Sequence, residues 1–143
     1  MKKIVLIVII ILSIGVGMIY FFLEYGATVF QYKKIIIGSK CVYLKHKARG
    51  LNYEELSIST SKSRRISSSI DYLYNSECLF YQIQNDTIFI FSREIANKPP
   101  KFNSKIHIIQ KSVTNSEFMN LYKTYKTLGY EQFPPAGRSV QRN

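Results

Sequence analysis

A chain of 143 residues carrying 20 Lys plus Arg against 9 Asp plus Glu, a net charge of +11, has room beyond its apolar start for one hydrophobic core but not two. Its positive charge restricts the partners it suits to anionic ones: nucleic acid, lipid headgroups, cell-wall polymer or an acidic protein. Two cysteines without CxxC spacing leave out zinc and a redox dithiol, and no RNA- or DNA-binding signature is present.

The first predicted element is the stretch MKKIVLIVIIILSIGVGMIYFFLEYG. Lys2 and Lys3 precede an uncharged run from Ile4 to Leu23, which as a helix rises about 30 Å, the thickness of a bilayer's hydrocarbon core. A cleaved secretory signal has a shorter apolar run, roughly 7 to 15 residues, and a small-residue cleavage site. Gly15-Val16-Gly17 supplies such a site, but the apolar run continues through Met18 to Leu23. The expected organisation is therefore a cytoplasmic start at 1–3, an uncleaved transmembrane anchor at 4–23, a globular domain at 24–133 and a flexible basic tail at 134–143, with cleavage after Gly17 as the alternative. Lys2 and Lys3 set the amino terminus inside. This gives a single-pass protein of the bacterial inner membrane whose domain is periplasmic or extracellular.

After the anchor, Thr28 to Ile37 and Cys41 to His46 are rich in β-branched and aromatic residues and predict strands broken at Gly38-Ser39. Leu56 to Thr60 predicts a short strand, and the serine-rich, basic stretch SISTSKSRRISSS an exposed, mobile loop. In CLFYQIQNDTIFIFSRE two apolar runs flank Asn85-Asp86, residues that tolerate a left-handed turn. A two-residue hairpin then pairs Ile83 with Ile88, Tyr81 with Ile90 and Phe80 with Phe91. Both faces of that hairpin are partly apolar, as in central strands covered on both sides. Lys105 to Lys111 predicts a further strand. Thr114 and Glu117 form a capping-box pattern, Phe118, Leu121, Tyr122, Tyr125 and Leu128 recur at helical spacing, and Gly129 follows. The expected fold class is α+β: a transmembrane helix, then a small, mainly antiparallel sheet domain with one C-terminal amphipathic helix over Asn115 to Leu128.

No pattern in the sequence points to catalysis. His107 alternates with Ile106 and Ile108 in a strand, His46 lies among Lys45, Lys47 and Arg49, and there is no HExxH, GxSxG or glycine-rich phosphate loop. The chain reads as a non-enzyme with no cofactor, metal or small-molecule substrate. Cys41 and Cys78 either pair in an oxidising compartment, closing a loop worth roughly 4 kcal/mol in the chain-entropy model, or remain buried free thiols.

Nine of the cations lie between Lys33 and Arg65, opposed by Glu54 and Glu55, and the chain has 11 Tyr and 9 Phe. Tyrosine mixed with arginine is the composition of protein interfaces. The candidate partner-binding residues are Tyr43, Arg49, Tyr53, Arg64, Arg65, Tyr72 and Tyr74, against the alternative that the tyrosines are half-buried ladder residues.

A short basic start, one uncleaved span, and a small β-rich domain with two cysteines and a final helix resemble the layout of single-span bacteriocin immunity proteins, such as those against pesticin or colicin M. The resemblance is architectural and carries no site residue. It implies a protein held outside the cytoplasmic membrane, through Ile4 to Leu23, that captures a toxin acting at the cell envelope, here one with an acidic surface. The competing expectations are an accessory single-span subunit of an envelope complex in secretion, division or exclusion, and a cell-wall or anionic-lipid binding module.

Overall fold

The computed structural model describes the backbone of residues 2–25, 28–49, 53–102 and 105–135, with side chains in the first helix from Ile9 to Phe21. The expected tail at 134–143 falls, from residue 136 on, outside the described residues.

Helix α1 spans Lys2–Tyr25. Among the described residues no helix is long and apolar enough to cross a membrane. This overturns the expected transmembrane signal-anchor at 4–23 and, with it, the placement as a single-pass inner-membrane protein. The apolar side chains of α1, from Ile9 to Phe21, are exposed.

The rest of the chain forms three layers. The first sheet holds β1 (Val29–Ile37), β2 (Lys40–Arg49), β3 (Tyr53–Ser59) and β4 (Tyr72–Tyr74), antiparallel and in that order. β1 and β2 meet at the two-residue turn Gly38-Ser39, where Gly38 has φ +60°, a conformation that costs glycine nothing. The second sheet runs β7 (His107–Ser112), β6 (Thr87–Ser92), β5 (Leu79–Gln84) and β8 (Glu131–Phe133). Its central hairpin has the register expected from sequence: Ile83 opposes Ile88, Tyr81 Ile90 and Phe80 Phe91. Asn85 at the turn has φ 53°.

Period-two alternation turns one face of each sheet toward the other. Val42, Leu44, Leu56 and Ile58 from the first sheet meet Leu79, Tyr81, Ile88 and Ile90 from the second, all at 0% exposure. Each such aliphatic side chain contributes about 1.5–3 kcal/mol by leaving water. Polar links close the flanks. Lys33 on β1 pairs with Glu131 on β8, Tyr81 Oη donates to Glu131 Oε2 at 2.7 Å, and Tyr74 Oη donates to Gln110 Oε1 at 2.8 Å.

The third layer is α2 (Asn115–Thr124), whose Phe118 and Leu121 pack on the other face of the second sheet around Phe80, Cys78 and Val113. Its start follows the expected capping box: Glu117 N–H donates to Thr114 Oγ1 at 3.3 Å, and Thr114 N–H to Glu117 Oε2 at 2.8 Å. The helix ends four residues before the expected Leu128, because the chain tightens into turns: Gly129 takes φ 72°, Tyr130 N–H bonds Tyr125 O at 2.8 Å, and Leu128 is exposed. β8 then returns antiparallel to β5. β4 and β8 were not expected from the sequence, and the last predicted strand pairs parallel to β6, not antiparallel.

Candidate binding face

The same alternation that fills the core assigns the outward face of the first sheet. Its register sets Phe30, Tyr32, Lys34 and Ile36 of β1 beside Tyr43, Lys45 and Lys47 of β2, and Lys47 and Arg49 beside Glu55 and Tyr53 of β3. Residues 60–71 cross this face as a strap without regular secondary structure. Serine hydroxyls organise its first half by accepting backbone N–H groups two residues ahead. Ser59 accepts from Ser61 at 3.1 Å, Ser61 from Ser63 at 3.2 Å and Ser63 from Arg65 at 3.1 Å. The alternating serines stand in for a missing neighbouring strand. The expected mobile loop is thus a structured segment.

Under the strap lies a charge pair withdrawn from water. Lys45 and Asp71 both have side chains at 0% exposure, with Nζ 3.7 Å from Oδ2. Lys45 Nζ also donates to Arg65 O at 3.3 Å, and Asp71 Oδ2 accepts Ser67 N–H at 3.0 Å. Burial pushes the Lys45 pKa down, and the Asp71 carboxylate opposes that shift. A buried ammonium is tolerated only with such partners, so Lys45 and Asp71 lock the strap to the sheet.

The strap in turn places cations over the sheet's rings. Lys62 Nζ stands 5.9 Å from the Tyr32 ring centroid and the Arg64 guanidinium 6.0 Å from that of Phe30. The rings form a row, Phe30 to Tyr32 at 6.4 Å and Tyr32 to Tyr43 at 6.5 Å. Lys34, Arg49, Lys62, Arg64 and Arg65 are exposed. Glu55, opposite Lys47 in the register of β2 and β3, accepts the Tyr53 hydroxyl at 3.1 Å, and that bond raises the Tyr53 pKa. The result is a surface of fixed positive charge interleaved with aromatic rings.

No family model, curated protein or solved structure matches the chain. Its function has to be read from the site itself.

Of the residues singled out from sequence, the structure brings Tyr43, Arg49, Tyr53, Arg64 and Arg65 to this one face. It takes Tyr72 and Tyr74 away, because they point inward from β4 and are buried at 5% and 3%. Tyr72 packs edge-on against Phe102 at 4.8 Å. Phe30, Tyr32, Lys34 and Lys62 complete the face and were missed; pairing Ile37 with Lys40 across the Gly38-Ser39 turn sets Lys34 opposite Tyr43, and steps of two from Lys34 reach Tyr32 and Phe30. Cys41 and Cys78 are both free. Cys41 lies on the outward face, its thiol 3.9 Å from Tyr43 Oη, whereas Cys78 sits beneath α2 with burial raising its pKa to about 11.

The remaining titratable groups do not converge. His46 is buried on the inward face, with Nε2 3.7 Å from Glu54 Oε2; burial lowers its pKa and Glu54 pulls it back up. His107 is exposed, 4.0 Å from Asp86. Among the described residues no group of three His, Cys, Asp or Glu side chains could hold a metal ion.

Proposed function

We propose that the protein acts by stoichiometric binding: the outward face of its first sheet, with the strap, captures a protein partner that presents an acidic surface, and the biological role is immunity-type neutralisation of a cognate toxin. The observation that carries this reading is the alternation of exposed cations with aromatic rings on one rigid face, held in place by the buried Lys45–Asp71 pair. Rings supply desolvated contact area and cations supply steering, the two properties that protein interfaces combine.

The test is co-expression with the products of neighbouring genes, followed by affinity measurement on the complex recovered. The double reversal K62E/R64E should weaken the complex at least about tenfold, about 1.4 kcal/mol, and the wild-type affinity should fall with added salt. The reversal K123E/K126E on the helix layer changes net charge equally and should leave the affinity nearly unchanged. Equal loss in both variants would mean that net charge alone, not this face, governs binding.

A further inference from the structure

Among the described residues, the candidate face ends in an unpaired sheet edge. β1 is nine residues long and pairs with β2 alone, and among the described residues no other backbone hydrogen bond reaches it. The remaining edges are shorter, six residues at β7 and three each at β4 and β8. The Gly38-Ser39 turn determines which groups of β1 are unpaired. A two-residue turn makes its flanking residues, Ile37 and Lys40, a hydrogen-bonded pair, and such pairs alternate along an antiparallel ladder. The odd-numbered residues of β1 therefore bond β2, while the N–H and C=O groups of Phe30, Tyr32, Lys34 and Ile36 point away from it. These same four residues carry their side chains on the outward face. The free backbone row and the cation–aromatic row are one continuous surface, and such an edge is a template for an added strand.

Charge decides what can lie there. Two copies of β1 paired antiparallel would bring the exposed cations of the edge, Lys34, Lys62 and Arg64, of one copy up to those of the other in a protein of net charge +11, and like charges brought together destabilise a sheet. An acidic strand has the opposite fit: on the outward side it meets Lys34 together with Lys62 and Arg64, which stand over Tyr32 and Phe30. On the inward side Lys33 is already taken by Glu131, and Ile35 and Ile37 join the core, so that side selects apolar residues. We propose that β1 receives, by strand addition along Phe30, Tyr32, Lys34 and Ile36, an extended partner segment alternating acidic and apolar residues. This rests on the binding-face reading and specifies which part of the partner is held.

The probe is a short capped peptide alternating Glu and Val, compared with versions N-methylated on one or the other set of alternate residues, and titrated against the full chain with amide hydrogen exchange as a second readout. Expected are slowed exchange at the amides of residues 30, 32, 34 and 36, and at least about tenfold weaker binding for one N-methylated set but not the other. Equal binding of all peptides with unchanged edge exchange would overturn strand addition while leaving the acidic-partner reading intact. Absence of binding by every peptide would overturn both. Edge protection in the free protein that grows with its concentration would show a second copy in the groove and would also overturn the proposal.

Discussion

Replacing Asp71 by Asn isolates the device that holds the strap. The substitution keeps the size of the side chain and an oxygen for Ser67 N–H, but removes the countercharge 3.7 Å from a fully buried ammonium. Breaking one side of a buried pair typically costs about 3–5 kcal/mol, whereas replacing both partners by apolar groups of similar size is often near neutral. With a urea m-value of about 2 kcal/mol/M, D71N should lower the unfolding midpoint by roughly 1.5–2.5 M at pH 7, while K45M/D71L should stay within about 1 M of wild type. The pH dependence carries a sign. Lys45 has a pKa below its ordinary 10.5 in the fold, and losing Asp71 lowers it further, so the unfolded chain binds the extra proton. D71N should therefore regain stability as pH rises toward 10.5. Urea titrations at pH 7 and pH 9.5 measure all of this. A D71N cost below about 1 kcal/mol, additive with K45M, would refute a structural role for the pair.

Three further outcomes follow from single sites. His46 has its pKa lowered by burial, so its contribution to stability is full above pH 6.5 and is lost as pH falls through the folded pKa; H46L should flatten the urea midpoint between pH 7 and pH 5, and an unchanged slope would contradict the assignment. T114A removes the hydroxyl that accepts Glu117 N–H and should cost about 1 kcal/mol, seen as a Tm about 4 °C lower. Under non-reducing conditions both thiols should react with a thiol reagent, Cys41 in the folded protein and buried Cys78, with its pKa near 11, only after unfolding; an intact mass short by two hydrogens would contradict this.

What the sequence revealed was local. The break at Gly38-Ser39, the register about Asn85-Asp86 and the capping box of Thr114 and Glu117 are each set by residues within a few positions of one another, so pattern and turn chemistry were sufficient. What it concealed depends on distant partners. β4 and β8 are three-residue strands that exist because β3 and β5 are there to pair with. The parallel placement of β7 goes with the segment that follows β6, anchored where Gln110 bonds both the N–H and the C=O of Ala96 at 2.9 Å. In sequence Lys45 is one cation of a basic stretch, and only Asp71, 26 positions later, explains its burial. Tyr72 and Tyr74 resemble Tyr43 and Tyr53 in composition but face the other way, a distinction that requires the register of β4. The long apolar run at the amino terminus reads as a span by composition, yet among the described residues no helix meets that requirement.

Site-specific photocrosslinking tests the claim that the outward face of the first sheet is the binding surface most directly. A photoreactive phenylalanine analogue in place of exposed Tyr53 on that face, or of exposed Tyr122 on the helix layer, is activated in cells of the native host. The account predicts a discrete adduct with an acidic protein from position 53, abolished by K62E/R64E, and none from position 122. An adduct from position 122 alone, or one from position 53 that survives the charge reversal, would contradict it.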